Sequence, residues 1–255
     1  MIKQDFHVHT TYCDGKSTPE QLVQKAISLN FDRIGLVCHT YYKERKTTCI
    51  LPETVKPFVE EIKFLNEKYK GQIKVYCGVE FDYFSTLDVT PFDFVIGSVH
   101  CVKKNGTYIP VDSSKKELVI SGVNEHYNGD YYKFCEDYFE TLGDIYSKVN
   151  PDFIAHFDVV TKYNRDNILF DVNDERYVSA WKKCADKLLA KNALFEINVG
   201  GVLKKYKDEP YLSKEQIDYI SKRGGKFILN SDSHSVDTLT NDIDKYIDSD
   251  IKLID

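Results

Sequence analysis

The sequence lacks several features that mark secreted and membrane proteins. Its seven cysteines are scattered and form no Cys-x-x-Cys, so we expect neither a disulfide framework nor a thiolate zinc site, and a reduced, cytoplasmic location fits best. No segment approaches about 18 uninterrupted apolar residues, and the first residues show no basic stretch followed by an apolar one. The pattern therefore predicts neither a membrane span nor secretion.

The chain also lacks an excess of positive charge: it has 34 Lys and Arg residues against 40 Asp and Glu residues. The net charge of -6 gives no general attraction for nucleic acid or for an anionic membrane. No Ser/Gly-rich linker, low-complexity tract or internal repeat divides the chain, and 255 residues with 42% hydrophobic content are enough for a large core. We therefore expect one domain over residues 1–255, with an oligomeric state that the sequence leaves open.

Short apolar runs alternate with amphipathic helical segments along most of the chain. This alternation is typical of βα units around a parallel sheet, and the size suits a single α/β barrel. Capping boxes at Thr18-Pro19-Glu20-Gln21 and at Ser213 with Gln216 mark the starts of two helices. The expected strands lie in residues 6–9, 34–38, 73–81, 94–99, 153–155, 194–199 and 227–229.

Residues 101–129 fit this alternation least well. Asn105-Gly106 predicts a turn, and the polar stretch over residues 121–129 predicts a long loop. Such an excursion from a barrel commonly covers a substrate, so we expect substrate contacts here.

Six of the seven histidines fall at the ends of predicted strands, and the carboxyl ends of parallel strands share one face of a barrel. A lone histidine is more often structural, but this repeated placement predicts a metal centre. His7 and His9 are separated by one residue, so both rings project to the same side of a strand. His126 matches no such position and is expected at the surface. The histidines at strand ends are His7, His9, His39, His100, His156 and His234.

Three carboxylates occupy the same kind of position: Glu80, Asp232 and Asp14. Imidazole nitrogen mixed with carboxylate oxygen suits zinc, manganese or iron, whereas calcium prefers oxygen alone. Nine candidate ligands exceed the needs of one ion, so we expect two or three divalent metal ions.

Such ions lower the pKa of a bound water and face the charged oxygens of a phosphate ester, which makes hydrolysis of a small phosphate ester the expected reaction. Lys162 and Arg165 follow His156 in a loop and are expected to bind the phosphate, unless they form only a solvated basic loop. Asn198 is expected either to orient the substrate or to fix a turn with the two glycines that follow.

The motifs taken together resemble those of the polymerase-and-histidinol-phosphatase (PHP) superfamily, over nearly the whole chain, and most closely its stand-alone histidinol-phosphate phosphatase branch. Glu196-Ile197-Asn198 and the segment from Val159 to Arg165 support the narrower placement. The shared motifs are Asp5-Phe6-His7-Val8-His9-Thr10, Cys13-Asp14-Gly15, Gly78-Val79-Glu80, Gly97-Ser98-Val99-His100, Ala155-His156-Phe157-Asp158 and Asn230-Ser231-Asp232-Ser233-His234.

The resemblance implies a distorted seven-stranded TIM-like barrel with a trinuclear site. Glu80 would bridge a first ion, held also by His7, His9 and Asp232, to a second ion held by His100 and His156. His39 and His234 would hold the third ion with Asp14, a position at which superfamily members vary. The sequence departs from the superfamily pattern at Cys38, where aspartate commonly precedes the histidine, so a carboxylate that would orient His39 is in doubt.

The resemblance implies hydrolysis of L-histidinol phosphate to L-histidinol and phosphate, a step of histidine biosynthesis. Arg165 and Lys162 would offset the phosphate charge, and Asp14 or a metal-bound water would protonate the leaving alcohol. The alternatives are a phosphoesterase for nucleotides or oligonucleotide ends, a catalytically silent metal-binding module, and an amidohydrolase-type barrel, which also begins with His-x-His. The acidic chain argues against nucleic acid as a partner.

Overall fold

The computed structural model describes residues 3–42, 47–247, 251, 253 and 254. No helix in these residues has both the length and the apolar character needed to cross a membrane. The helices are α1 (Pro19–Ser28), α2 (Pro52–Lys68), α3 (Lys116–Tyr127), α4 (Tyr131–Leu142), α5 (Glu175–Leu189), α6 (Gly200–Leu203) and α7 (Lys214–Ser221). The strands are β1 (Gln4–His9), β2 (Arg33–Val37), β3 (Lys74–Asp82), β4 (Phe94–Ser98), β5 (Cys101–Lys104), β6 (Thr107–Pro110), β7 (Phe153–Ile154), β8 (Leu194–Asn198) and β9 (Lys226–Asn230).

Seven parallel strands form a nearly closed barrel in the order β1-β2-β3-β4-β7-β8-β9. Its ends meet where the His9 amide donates to the Ser233 carbonyl at 2.7 Å and the Ser233 amide donates to the His7 carbonyl at 3.2 Å. At the opposite end of β9, the Ile254 amide donates to the Phe227 carbonyl at 2.9 Å. The predicted α/β barrel and its seven strands are therefore confirmed.

The two faces of the sheet bury different apolar residues, because neighbours along a strand point to opposite faces. Val95 and Ile154 pack into the larger core with helix residues such as Leu22. Phe94 and Phe153, on the same two strands, pack together on the other face, which is the barrel interior. Apolar residues thus fill the interior of the barrel, and the polar cluster described below lies at the carboxyl ends of its strands.

Helix α1 forms as its sequence predicts. Thr18 accepts from the Gln21 amide, the Gln21 side chain accepts from the Thr18 amide, and Pro19 occupies the first turn. Leu22 and Ala26 are buried, and Asn30 has a φ of 57°, the left-handed conformation that ends a helix. Helix α2 begins at Pro52, and Pro57 lies inside it.

The excursion after β4 contains more regular structure than the sequence predicts. The turn at Asn105-Gly106 is confirmed, and it joins an antiparallel hairpin of β5 and β6. The long loop predicted for 121–129 is wrong, because α3 covers most of it and ends at Asn128, which has a φ of 53°. Helix α3 has no side-chain cap and contains Gly122, so its capping and propensity signals are weak. Its buried residues follow a spacing of four: Val119, Val123 and Tyr127.

Candidate metal centre

The carboxyl ends of the barrel strands hold a compact cluster of histidines and carboxylates. β1 carries His7 and His9, and β3 carries Glu80. Asp14 lies in the loop between β1 and α1, and each of the other members follows a strand within a few residues. The structure brings together all nine residues that the sequence singles out as ligands: eight of them form three overlapping groups with the spacing of a metal site, and His156 lies 2.9 Å from Glu80. The nine are His7, His9, Asp14, His39, Glu80, His100, His156, Asp232 and His234.

The first group surrounds a point between β1 and Glu80. Ligands about 2.1 Å from a tetrahedral ion lie about 3.4 Å from one another. Oε2 of Glu80 lies 3.4 Å from Nε2 of His7 and 3.3 Å from Nε2 of His9. Oδ1 of Asp232 lies 3.8 Å and 3.5 Å from the same two nitrogens, which are 3.1 Å apart. These four side chains have the edge lengths of one tetrahedral site.

The second group uses the other oxygen of Glu80. Oε1 lies 3.1 Å from Nε2 of His100 and 2.9 Å from Nε2 of His156. One carboxylate thus faces two sets of imidazole nitrogens, which is the arrangement of a bridging ligand.

The third group centres on Asp14. Its Oδ1 atom lies 3.6 Å from Nε2 of His39 and 3.6 Å from Nε2 of His234. The centroid of the His9 ring lies 4.2 Å from that of each of these two imidazoles, which are 6.2 Å apart. The structure therefore places Asp14 with the two histidines that the sequence assigns to a third ion.

The local chemistry of the cluster fits divalent cations. Oε2 of Glu80 and Oδ1 of Asp14 are buried and have no hydrogen-bond partner among the described residues. Leaving such oxygens without a partner costs free energy in a protein interior, whereas a cation between them and the facing imidazole nitrogens would satisfy both sides. Mixed nitrogen and oxygen donors without thiolate suit zinc, manganese and iron.

Glu196 orients two of the ligands, and it carries no assigned role in the sequence analysis. Its Oε1 lies 2.7 Å from Nδ1 of His7 and accepts from Asn230 at 2.9 Å. Its Oε2 accepts from the His156 amide at 2.8 Å and from Asn198 at 2.9 Å. A carboxylate at Nδ1 favours the tautomer whose Nε2 is free to bind a metal. The sequence contains one indication of this role. Side chains alternate between the two faces of β8, so Glu196 and Asn198 lie on the same face.

Asp82 has a similar role beside His100. Its Oδ2 accepts from the His100 amide at 3.1 Å and lies 3.1 Å from Nδ1 of the same residue. No carboxylate stands at Cys38: its thiol is buried and lies 3.3 Å from the Thr10 hydroxyl. Nδ1 of His39 instead faces Glu80, whose Oε2 lies 2.7 Å away.

Crowded charges shift the pKa values of the cluster. Burial disfavours the charged form of His7, but the carboxylates of Glu196, Glu80 and Asp232 raise its pKa well above the usual range. Burial acts the same way on His9, yet Cys13 and Glu80 raise its pKa to about 9. Without a metal, these imidazoles therefore retain protons that a metal would have to displace.

The pKa values of two neighbouring members, His234 and Asp232, are lowered instead. Burial, together with repulsion from His9, lowers the pKa of His234 to about 4, which leaves its ring neutral. Although burial opposes ionisation of Asp232, the positive charge of Lys204 and of His7 holds its pKa far below the usual range. A neutral imidazole and an ionised carboxylate are the forms that bind metals.

Two residues of the cluster have a left-handed backbone conformation. His156 has a φ of 22° and Asp232 a φ of 52°. Non-glycine residues take such conformations at a cost, and they persist where surrounding contacts fix them. The bond from the His156 amide to Glu196 is one of those contacts.

A cavity of about 540 Å³ opens above the cluster. Lys204 lines it, with Nζ 3.6 Å from Oδ2 of Asp232 and 3.3 Å from Nδ1 of His234. Lys162 lines the same cavity, as the sequence analysis expects of a phosphate contact. The amino-acid sequence did not point to Lys204, because lysines are common at helix ends and the residues around it form no recognisable motif.

Two predicted substrate contacts lie elsewhere. Arg165 does not line this cavity: its guanidinium is exposed, lies 2.7 Å from Asp208 and borders a separate cavity, so its contact with the phosphate stays a prediction. Asn198 is buried below the cluster and donates to Glu196, and its Oδ1 accepts from the Gly200 amide at 2.8 Å. The structure thus favours the turn-fixing alternative for Asn198 over a contact with substrate.

A family model for the PHP domain matches residues 5–200 of this chain. The chain belongs to the PHP domain family. The matched residues include seven of the nine members of the cluster, and Asp232 and His234 follow them. Among curated PHP relatives, the histidinol-phosphatase of Lactococcus lactis subsp. lactis (strain IL1403) is 28% identical over 246 residues, covering 92% of this chain and 85% of that protein.

Two solved structures share the PHP barrel. A candidate histidinol phosphatase from Listeria monocytogenes superposes with a TM-score of 0.82 at 19% identity, covering 96% of this chain and 100% of that one. Histidinol phosphate phosphatase from Lactococcus lactis, solved with zinc, L-histidinol and phosphate, gives a TM-score of 0.59 at 21% identity and covers 92% of this chain and 87% of that one. Both likenesses concern the fold.

Proposed function

We propose that this protein is a metal-dependent histidinol-phosphatase that hydrolyses L-histidinol phosphate to L-histidinol and phosphate. The observation that carries the proposal is the convergence of six imidazoles and three carboxylates below one cavity, at separations that fit metal ions. The name of the Lactococcus relative, which aligns with most of this chain, supports the choice of substrate.

Three ions fit the ligand groups. His7, His9, Glu80 and Asp232 would hold the first, and Glu80 would link it to a second at His100 and His156. A separate group of three would hold the third ion: Asp14, His39 and His234. Zinc has the best support, because the Lactococcus structure contains it, and manganese or iron suits the same donors. When bound, the ions supply a water of lowered pKa and countercharge for the phosphate.

The chain itself supplies the remaining charge. Lys204 and Lys162 line the cavity from two sides, and their ammonium groups would offset the negative charge of a phosphate bound above the cluster. Asp14 lines the cavity as well as belonging to the third group, so the leaving alcohol would take its proton from Asp14 when that residue holds no ion, and otherwise from water in the cavity. A contact between Arg165 and the phosphate stays a separate prediction, because its guanidinium pairs with Asp208 in this structure.

A comparison of substrates tests the proposal. The metal-loaded protein should release phosphate from L-histidinol phosphate with a higher kcat/KM than from a panel of nucleoside monophosphates. A preference for the nucleotides would favour the nucleotide phosphoesterase alternative, and turnover of amides or lactones alone would favour an amidohydrolase. No hydrolysis of any phosphomonoester by fully metallated protein would favour a silent metal-binding module.

Two adjacent lysines provide a matched pair of variants. Lys204→Gln should lower kcat/KM about tenfold or more, because it removes a cation beside the reacting phosphate. Lys205→Gln removes the same charge from an exposed neighbour outside the cavity and should leave kcat/KM nearly unchanged. Equal effects of the two substitutions would contradict the placement of Lys204 at the phosphate.

Three further expectations from the sequence stay predictions. The described cysteines are all free thiols, which supports a cytoplasmic location. The single-domain assignment over 1–255 and the exclusion of nucleic acid as a partner are consistent with the barrel and with the net charge of -6.

A further inference from the structure

Tyr211 is almost completely buried, yet its side chain lines the cavity above the metal centre. Its backbone is paired with that of Asn198: the Asn198 amide donates to the Tyr211 carbonyl at 3.2 Å, and the Tyr211 amide donates to the Asn198 carbonyl at 2.9 Å. Asn198 is the last residue of β8. Tyr211 is therefore attached to the end of the barrel that carries the cluster.

Packing fixes the ring of Tyr211 as well as its backbone. The ammonium group of Lys207 lies 5.0 Å from the ring centre and donates to the Thr161 hydroxyl at 2.9 Å. Gly201 lies against the hydroxyl end of the ring, where a Cβ atom would be 2.9 Å from Cε2 and 3.2 Å from the hydroxyl oxygen. A larger residue at Gly201 would displace the ring, so the glycine allows the hydroxyl to take this position.

The position of the ring is beside the metal centre. The centre of the Tyr211 ring lies 6.4 Å from that of the His156 ring. Gly200, the neighbour of Gly201, lies against the cluster too, because a Cβ atom there would be 3.0 Å from Oδ2 of Asp232. One ligand of each of the first two groups thus flanks the tyrosine. A phosphate that faces ions held by these two groups would lie next to Tyr211.

The hydroxyl of Tyr211 is a donor that lacks an acceptor. No described residue forms a hydrogen bond with it, and its oxygen is not among the buried polar atoms without a partner, so it opens into the cavity. A phenol is protonated at neutral pH, and burial, with nearby carboxylates adding to the effect, raises the pKa of Tyr211 further. A phosphate dianion offers only acceptors, so it complements this hydroxyl.

We propose that the Tyr211 hydroxyl donates a hydrogen bond to the phosphate group of the substrate. The ligands that it recognises are then phosphate monoesters and inorganic phosphate bound at the metal centre. This inference rests on the proposed function, since that function places a phosphate above the metals. The hydroxyl differs from Lys162 and Lys204 because it orients the phosphate without adding positive charge.

Binding of inorganic phosphate to zinc-loaded protein, measured by calorimetry, tests the inference without any ester. Tyr211→Phe removes the hydroxyl and keeps the ring, so it should raise the dissociation constant about 10- to 100-fold, the range for a hydrogen bond to a charged group. Tyr219→Phe removes a hydroxyl that bonds to the exposed Asp186 and should leave the constant unchanged. Equal affinities of wild type and Tyr211→Phe, or no phosphate binding by wild type, would overturn the inference.

Two esters distinguish a contact with the phosphate from a contact with the alcohol. Tyr211→Phe should lower kcat/KM for L-histidinol phosphate and for p-nitrophenyl phosphate by the same factor, and a loss confined to L-histidinol phosphate would overturn the inference.

Metal content and melting temperature of Tyr211→Phe should match those of wild type. A decrease in either would assign the hydroxyl a structural role and would overturn the inference as well. If wild type binds phosphate but does not hydrolyse L-histidinol phosphate, the proposed substrate is wrong, and the phosphate affinities still decide the role of Tyr211.

Discussion

At the scale of single residues, Glu196 holds two ligands of the metal centre in place. Both of its oxygens accept hydrogen bonds, and through them it holds the His7 ring and the His156 backbone at once. Burial opposes its ionisation, but the positive charge of His7 nevertheless lowers the pKa of Glu196. It therefore stays ionised and keeps His7 in the tautomer that presents Nε2 to a metal.

Glu196→Gln tests this role. The amide can accept at only one position, so we expect the affinity for the first metal ion to fall roughly 10- to 100-fold, the range seen for partners of ligand histidines. Titration against a chelator of known affinity measures the loss. Glu60→Gln, on the exposed face of α2, is the control and should not change the affinity. An unchanged metal affinity in Glu196→Gln would contradict the proposal that Glu196 orients His7.

Protonation of His7 and His9 predicts a second observable. Their pKa values are raised, that of His9 to about 9, so in metal-free protein both carry protons at pH 8. Metal binding at pH 8 should therefore release protons, and apparent affinity should increase as pH rises toward 9. Calorimetry in two buffers of different ionisation enthalpy measures the release. Binding heats that do not depend on the buffer would contradict the raised pKa values.

The same shift fixes the sign of a stability effect in metal-free protein. A folded pKa of about 9, above the unfolded value of 6.5, means that His9 contributes stability fully below pH 6.5 and loses it as pH rises through 9. The melting temperature of metal-free protein should therefore be lower at pH 9.5 than at pH 6.5. Metal-loaded protein should not show this decrease, because its imidazoles are already deprotonated.

Residue type and strand position were enough to collect the nine members of the cluster from the sequence. Eight of them fall at strand ends and Asp14 lies in the first strand–helix loop, and a parallel barrel brings these positions together. The same reasoning does not extend to Arg165, because the direction of a side chain in a loop depends on contacts such as that with Asp208. Glu196 and Lys204 carry no motif of their own, and only the folded chain shows what they touch.

At the scale of elements, the loop between β1 and α1 carries Asp14 and is folded tightly against the end of its strand. The Gly15 amide donates to the Thr10 carbonyl at 3.0 Å. A methyl group on Gly15 would lie 2.5 Å from the His9 carbonyl oxygen, closer than packed atoms approach. Gly15 is therefore required for Asp14 to reach His39 and His234.

Gly15→Ala should push this loop away from the cluster. We expect the protein to bind one metal ion fewer per chain than wild type, because the third group loses Asp14, while the first two groups stay intact. Metal content after gel filtration, measured by plasma mass spectrometry, gives the count. Gly71→Ala is the control: its φ of 84° makes alanine cost about 1 kcal/mol, but it has no neighbour to displace and should keep the full metal content. An undiminished metal content in Gly15→Ala would contradict this account.

The elements themselves were predictable to different degrees. Apolar runs and capping boxes located the seven barrel strands and α1, because local signals and burial agree there. Helix α3 was missed because its polar surface, its uncapped start and Gly122 all weaken the local signal. Packing of Val119, Val123 and Tyr127 decides its structure, and the sequence does not show the surface against which they pack.

At the scale of the whole molecule, the residues of the metal centre all lie at one end of the barrel, and the apolar interior of the barrel lies below them. The barrel closes at that end through Ser233, one residue from each of Asp232 and His234, so closure of the fold and assembly of the centre use the same segment. Filling the centre with metal should therefore stabilise the entire domain, since ions that bind only the folded state raise its free energy of unfolding.

The most direct test of the account is a titration of metal-free protein with zinc while phosphate release from L-histidinol phosphate is measured. The account predicts no turnover in the metal-free protein and a rate that rises until two to three equivalents of metal are bound per chain. A parallel rise in melting temperature should accompany it. Turnover that persists after complete metal removal, or fully loaded protein that releases no phosphate from this ester, would contradict the proposed function.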